Sequence, residues 1–220
     1  LMRFIRKHSA AKSFEELFQA CQEEFRRIFS KIISTINPFE PYLDSVNPAP
    51  MFSATSETAL EQGIDGYARG SKYNNTNIWL AGPVTAVNSL AMIKKYVFDQ
   101  GEITLPALLQ ALDANWEGQE LLRQRILRDP DQFGNNRPLP DSLAVELLEG
   151  IADGINGCKN SRGGFYTTAL HSANAFIWFG ENSNATPDGR VKGEEFTKNA
   201  SIRPGSNQNS ITAVMESVLK

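Results

Sequence analysis

Apolar residues recur at helical spacing near the start of the chain. Phe14, Leu17, Phe18, Cys21, Phe25, Ile28, Phe29 and Ile32 make one stripe, while Glu15, Glu23, Glu24, Arg26 and Arg27 fall mostly opposite it. The pattern predicts a helix from about Ser13 to Thr35. Ser13 can cap it, with Glu16 three residues on as a capping box requires. Asn37-Pro38 ends it and a proline-rich connector follows. Phe52 to Gln62 reads as a short helix stopped by Gly63. A polar turn then enters a buried strand at Asn77-Ile78-Trp79-Leu80.

Helical spacing returns from Thr85 to Phe98. Thr104 caps a further helix whose Leu105, Leu108, Leu109 and Leu112 share a face, and Pro106 falls in its tolerant first turn. Gly118 to Leu127 reads as helix, Asp129 to Pro140 as surface loop, and Asp141 as the cap of a helix bearing Leu143, Leu147, Leu148, Ile151 and Ile155. After Gly157 the texture changes. Phe165 to Phe179 is rich in aromatic and small residues, carries no charge, and reads as a strand buried on both faces. Gly180 to Gln208 is a long polar segment of the kind that is functional or wraps another part of a protein. A last helix begins near Ile211. Strands separated by more numerous helices predict an α/β architecture.

Composition narrows the function classes. Of 220 residues, 41% are hydrophobic and 21% charged, which suits one ordinary globular core. A net charge of -3 gives no broad attraction to nucleic acid or an anionic membrane. No apolar run reaches the ~20 residues needed to cross a bilayer. The basic start, Leu1 to Lys7, has no apolar stretch behind it, so no signal peptide is expected, and Leu1 suggests a chain that begins inside a longer one. Two distant cysteines, Cys21 and Cys158, make no disulfide framework and fit a reducing, cytoplasmic setting. Cys21 lies in the apolar stripe and reads as a core thiol. His8 and His171 are too far from other ligand types to suggest a metal site.

Four patterns, in order, resemble the pyruvate formate-lyase domain of glycyl radical enzymes. Lys72-Tyr73-Asn74-Asn75-Thr76 followed by Val87 to Lys95 is similar to the family's "arginine-tyrosine-asparagine" strand and "D/N-S-L-A-A-I-K-K" helix. Ile103 to Gly118, then Phe133-Gly134-Asn135, is similar to "T-L-x-E-L-L-x-A-L-x-A-N-F-E-G" and "K-F-G-N-D". Arg162-Gly163-Gly164, Phe179-Gly180 and Ala185-Thr186-Pro187-Asp188-Gly189-Arg190 resemble "R-G-G", a strand, and "A-T-P-D-G-R-K-A-G-E". Ser210 to Lys220 is similar to "G-x-T-A-V-x-x-S-V-x-K".

The resemblance implies that residues 1–220 are the C-terminal part of a pyruvate formate-lyase-like barrel domain, within a ten-stranded α/β barrel jacketed by helices. It implies formate acetyltransferase chemistry or a related C–C, C–O or C–N lyase or dehydratase reaction. Lys198-Asn199-Ala200-Ser201 resembles the lyase and dehydratase branch more than the acetyltransferase. The implied cofactor is a glycyl radical in the parent protein, installed by an activase that uses S-adenosylmethionine and an iron–sulfur cluster; none is expected to be bound by this stretch. The implied partners are a small-molecule substrate, the activating enzyme, the remainder of the parent chain and a second copy of the parent. The family's "R-V-x-G-Y" radical motif and "G-C-x-E" thiyl loop do not occur in this sequence. Cys158, in Gly157-Cys158-Lys159-Asn160, lacks the glutamate and reads as a loop cysteine.

In the family, the strand matching Tyr166 to Asn174 approaches substrate. Alternation puts Tyr166, Thr168, Leu170, Ser172 and Asn174 on one face, and Thr167, Ala169, His171 and Ala173 on the other. The candidate substrate-binding residues are Tyr166, Thr168, His171 and Asn174. A neutral His171 imidazole could donate to a substrate oxygen, and Asn174 could orient it. The family usually has an apolar residue at His171 and a small hydroxyl at Asn174, which suggests a different substrate from that of the better-known members. Asp188-Gly189-Arg190 reads as a tight turn tied by its arginine. The competing reading is a non-catalytic remnant or standalone binding domain.

Overall fold

The computed structural model describes residues 1–170 and 174–220. Its elements run α1 (Met2–Lys7), α2 (Phe14–Ile36), α3 (Leu43–Val46), α4 (Pro50–Ser53), α5 (Glu57–Gln62), β1 (Thr76–Trp79), α6 (Pro83–Met92), α7 (Leu105–Asp113), α8 (Glu120–Leu127), α9 (Pro138–Asp153), β2 (Tyr166–Ala169), α10 (Ala175–Glu181) and α11 (Ile211–Val218). The chain divides into two compact units. One comprises Leu1–Glu24, Leu80–Gly150 and Leu170–Lys220; the other comprises Phe25–Trp79 and Ile151–Ala169.

The first unit is a helical core. Leu17 and Cys21 of α2, Leu90 of α6, Leu112 of α7, Ile126 of α8 and Leu147 of α9 are all buried. Two caps read from the sequence form, at Ser13 and Thr104, and Ser210 caps the last helix as well. Ser13 Oγ accepts from Glu16 N at 3.1 Å, Thr104 Oγ1 from Ala107 N at 3.3 Å, and Ser210 Oγ from Ala213 N at 3.4 Å. Beyond Met92 the helix widens into π turns over Ile93–Asp99. There Lys95 Nζ reaches Asp129 and Asp131 at 2.8 and 2.6 Å, and the Tyr96 hydroxyl donates to Asp129 at 2.8 Å.

Phe133-Gly134-Asn135 joins two parts of this unit. Asn88 Oδ1 accepts from Phe133 N at 2.8 Å. Gly134 has φ +95°, and a Cβ there would stand 1.9 Å from Ile202 Cγ2. Asn135 donates to Ser206 O at 3.0 Å and accepts from Gln208 N at 2.9 Å. The polar 182–210 segment, without helix or strand, is thereby held to the helices by side-chain bonds to its backbone.

In the second unit β1 and β2 form a parallel pair, Thr76 opposite Tyr166 and Trp79 opposite Ala169. Gly157 N donates to Tyr166 O at 3.1 Å and Tyr166 N to Cys158 O at 2.7 Å, which pins the start of β2 from its other side.

Several expectations need correction. The run Phe165 to Phe179 is not one doubly buried strand. β2 ends at Ala169, residues 171–173 lie outside the described residues, and Ala175–Glu181 is helix. An uncharged run of this kind lacks the periodicity that separates strand from helix. Tertiary contacts decide it: the Phe176 carbonyl accepts from Phe196 N at 3.1 Å, and Gly180 sits where a Cβ would be 2.4 Å from Glu194 O. Nor is β1 a buried strand, since Asn77 and Trp79 are exposed. The Phe52–Gln62 helix is two, α4 and α5, although Gly63 does end α5 in the left-handed region with φ +61°. Asp141 does not cap α9. The helix starts at Pro138, because prolines fit a first turn whose amides need no partner, and the Asp141 carboxylate accepts from Lys220 Nζ at 2.7 Å.

Candidate functional site

β2 is positioned by the turn before it. Asn160 Oδ1 accepts from Arg162 N at 3.1 Å and Gly164 N at 2.7 Å, closing an Asx turn around Arg162-Gly163-Gly164. Asn160 Nδ2 donates to Asn74 O at 2.5 Å and Thr76 Oγ1 at 2.9 Å, so the same side chain clamps the turn to the entry of β1. Gly164 is required there: a Cβ would lie 2.4 Å from the Asn74 carbonyl oxygen. Glu40, 3% exposed, accepts from Thr76 Oγ1 and from Ser161 Oγ at 3.2 Å, and lies 3.8 Å from Arg162 Nε.

Tyr166 and Thr168 share one face of β2, and both hydroxyls are engaged inside this unit. Tyr166 is 0% exposed and donates to Asn37 Oδ1 at 3.0 Å. Burial, reinforced by the Glu40 charge and partly offset by Arg162, pushes its phenol up to about 12. Thr168 gives its backbone N–H and its hydroxyl to Asn156 Oδ1, at 2.7 and 2.9 Å. Asn174 is exposed and belongs to the other unit, just before α10. His171 lies outside the described residues.

The opposite face of the strand pair is partly exposed. Thr167 Oγ1 donates to Asn77 Oδ1 at 2.5 Å across the two strands. Trp79 is 55% exposed and stands in register with Ala169; Phe165, just before β2, is 48% exposed. Sequence reasoning passed over Asn77, Trp79 and Thr167. The signal was available in the alternation, which had already set Thr167 and Ala169 apart from Tyr166 and Thr168.

The first unit holds a cavity of about 240 Å³ lined in part by Thr85, Asp188, Arg190, Glu194, Thr197 and Arg203. Its ionic groups are engaged: Arg203 lies 3.8 Å from Asp188 and 3.6 Å from Glu194. Arg190, 2% exposed, donates to the carbonyls of Gly180, Val191, Glu194 and Asn184 and to Thr186 Oγ1, and its guanidinium lies 4.6 Å from the Phe196 ring centre. Most of its fork is committed to this turn and its neighbours, so its role is to tie the turn. Gly189, with φ +87°, completes that turn, and Gly189 N donates to Thr186 O at 3.1 Å. Burial raises the Asp188 carboxyl above its ordinary range; Arg203, the Thr186 hydroxyl and Arg190 oppose the shift.

Among the described residues, no three His, Cys, Asp or Glu side chains could jointly hold a metal ion. Cys21 is fully buried, and burial pushes its thiol up to about 11, the opposite of an activated thiolate.

These turns, clamps and strands occur in the order of the four sequence patterns. Residues 3–180 match the model of the family described as pyruvate formate lyase-like. The chain belongs to that family. It is 32% identical over 189 residues to (2S)-3-sulfopropanediol dehydratase of Klebsiella oxytoca, covering 86% of this chain and 23% of that protein. The crystal structure of hydroxyproline dehydratase from Clostridioides difficile, with trans-4-hydroxy-L-proline bound, superposes with a TM-score of 0.86 at 28% identity, over 95% of this chain and 26% of that one. The glycerol-bound B12-independent glycerol dehydratase from Clostridium butyricum gives a TM-score of 0.84 at 26% identity, over 96% and 27%. The chain thus spans about a quarter of the length of these relatives. Its strands and helices are part of the α/β barrel of glycyl radical enzymes, as the resemblance implied. No described helix is long and apolar enough to cross a membrane.

Proposed function

We propose that this chain forms barrel wall and substrate pocket in a glycyl radical enzyme that acts as a dehydratase or related lyase on a small hydroxyl-bearing molecule. The observation that carries the reading is the match to dehydratases over 86% to 96% of the chain, with every turn glycine of the shared patterns placed where backbone approach or positive φ demands it. This favours C–O cleavage over acetyl transfer from a 2-oxo acid. When present in the parent protein, a glycyl radical supplies hydrogen-atom abstraction. No glycine of this sequence stands in the motif that would carry it, so no step is assigned to a glycine here. What these residues do is hold two strands in register and present one face of them. An S-adenosylmethionine activase, a dimeric parent and a cytoplasmic, anaerobic setting belong to the same proposal.

The test is to express the full-length parent with its activating enzyme under anoxic conditions and look for the glycyl radical by EPR. Small diols, hydroxy acids and hydroxylated amino acids are then screened for loss of water. A radical with turnover of one of these is the expected result. No radical, or radical with turnover only of a 2-oxo acid and coenzyme A, overturns the dehydratase reading.

A further inference from the structure

We infer that the Thr167–Asn77 face of the β1–β2 pair reads a neutral hydroxyl group of the substrate. The inference rests on the dehydratase reading and deepens it.

Saturation of the opposite face is the first argument. Tyr166 and Thr168 have committed their hydroxyls to Asn37 and Asn156 within the same unit, at 3.0 and 2.9 Å. Withdrawing either for a ligand would leave a polar group without its partner. Among the described residues, the Thr167 hydroxyl instead bonds across the strand pair, to Asn77.

Chemistry supplies the second argument. Thr167 spends its proton on Asn77 Oδ1, so its oxygen keeps lone pairs that accept, while Asn77 Nδ2 keeps two protons that donate. Register places the two side by side, Asn77 opposite Thr167. An acceptor beside a donor matches an alcohol, which both donates and accepts. It does not match a carboxylate or sulfonate, which only accepts, or an ammonium, which only donates. This face of the two strands carries no charge, so a charged end of the substrate must be held elsewhere. Trp79 and Ala169, the next pair in register on this face, offer apolar area for the carbon skeleton.

The experiment uses the full-length parent, activated and assayed anoxically, with the glycyl radical quantified by EPR in every variant. Thr167→Val removes the hydroxyl and keeps the shape; Asn77→Ala removes the amide. Each should raise KM for the hydroxylated substrate about threefold to tenfold, the range of one lost hydrogen bond, at an undiminished radical signal. Thr167→Ser should restore the wild-type KM. Thr168→Val should lower the melting temperature, and the KM change should not follow it. If Thr167→Val and Thr167→Ser have the same KM at full radical content, or if Thr168→Val takes the KM change instead, the face is wrongly assigned while the dehydratase reading stands. If the activated parent forms no radical, or turns over no hydroxylated compound, that reading fails and this inference fails with it.

Discussion

Each unit contains an arginine beside a glycine turn, Arg190 buried and Arg162 partly so, and the two are stabilised in different ways. Arg190 binds four carbonyls and a hydroxyl, all within residues 180–194, and stacks on Phe196. Arg162 faces a buried carboxylate, Glu40, at 3.8 Å, and its hydrogen bonds to Tyr67 O, Asn75 O and Thr76 Oγ1 are long, at 3.2 to 3.5 Å. The first is a local tie made of backbone dipoles. The second is a charge pair between segments more than a hundred residues apart. Carbonyls fix the position of a guanidinium by geometry, whereas a carboxylate holds it by charge and tolerates imperfect geometry.

The largest test of that difference is Arg190→Lys. Lysine keeps the charge but cannot fork, so several buried carbonyls lose their donor at once. We expect a loss of roughly 3 kcal/mol, read from the urea midpoint. A loss below about 1 kcal/mol would mean that charge, not the fork, holds the turn, and the contrast between the two arginines would disappear.

Glu40→Gln comes next. The amide keeps the shape and one acceptor for Thr76 or Ser161 but removes the countercharge from a largely buried Arg162. Breaking a well-formed buried pair costs about 3–5 kcal/mol. This pair is long, so roughly 2 kcal/mol is expected, again by denaturant unfolding. Arg162→Lys should cost less, roughly 1 kcal/mol, because an ammonium can still face Glu40. If Arg162→Lys proves as costly as Arg190→Lys, the long contacts carry more than their geometry allows and the two turns are alike.

The same contrast explains what could be read from the sequence. The Asp188-Gly189-Arg190 turn was legible because its partners are neighbours along the chain, and turn residues at fixed offsets announce such a structure. The caps at Ser13 and Thr104, and the Gly63 stop, were legible for the same reason. Asn160 was not. Its side chain links Arg162 and Gly164 to Asn74 and Thr76, and nothing within the local pattern marks it as the clamp. Glu40 was missed for the same reason, hidden in the proline-rich connector. The helix Ala175–Glu181 was misread because strand-forming residues there yield to contacts with 190–196, which propensity does not see. In the candidate site, the strand after Arg162-Gly163-Gly164 was found, but not which of its faces was already committed. That depends on Asn37 and Asn156, which are remote from β2 or lie across a turn.

The smallest expected effect concerns the charge that the Arg190 turn does carry. Asp188 is 1% exposed, and burial raises its carboxyl above the ordinary value of 3.8, with Arg203 and the Thr186 hydroxyl opposing. A carboxyl raised in the folded state binds its proton more tightly there than in the unfolded chain. Its contribution is therefore fully favourable below the unfolded value and is lost as pH rises through the folded one. Other carboxylates, such as Asp113 beside Arg6, are lowered and act in the opposite sense, gaining stability as pH rises past their folded values. The net slope of stability with pH mixes the two, so Asp188 must be isolated by difference. Asp188→Asn keeps an acceptor for Thr186 and removes the titration. Unfolding midpoints measured from pH 3.5 to 7 should show the wild-type protein losing ground to Asp188→Asn as pH rises. A wild-type slope parallel to that of Asp188→Asn would mean that burial leaves this carboxyl unshifted, and the turn held by backbone dipoles would then carry no pH-dependent charge of its own.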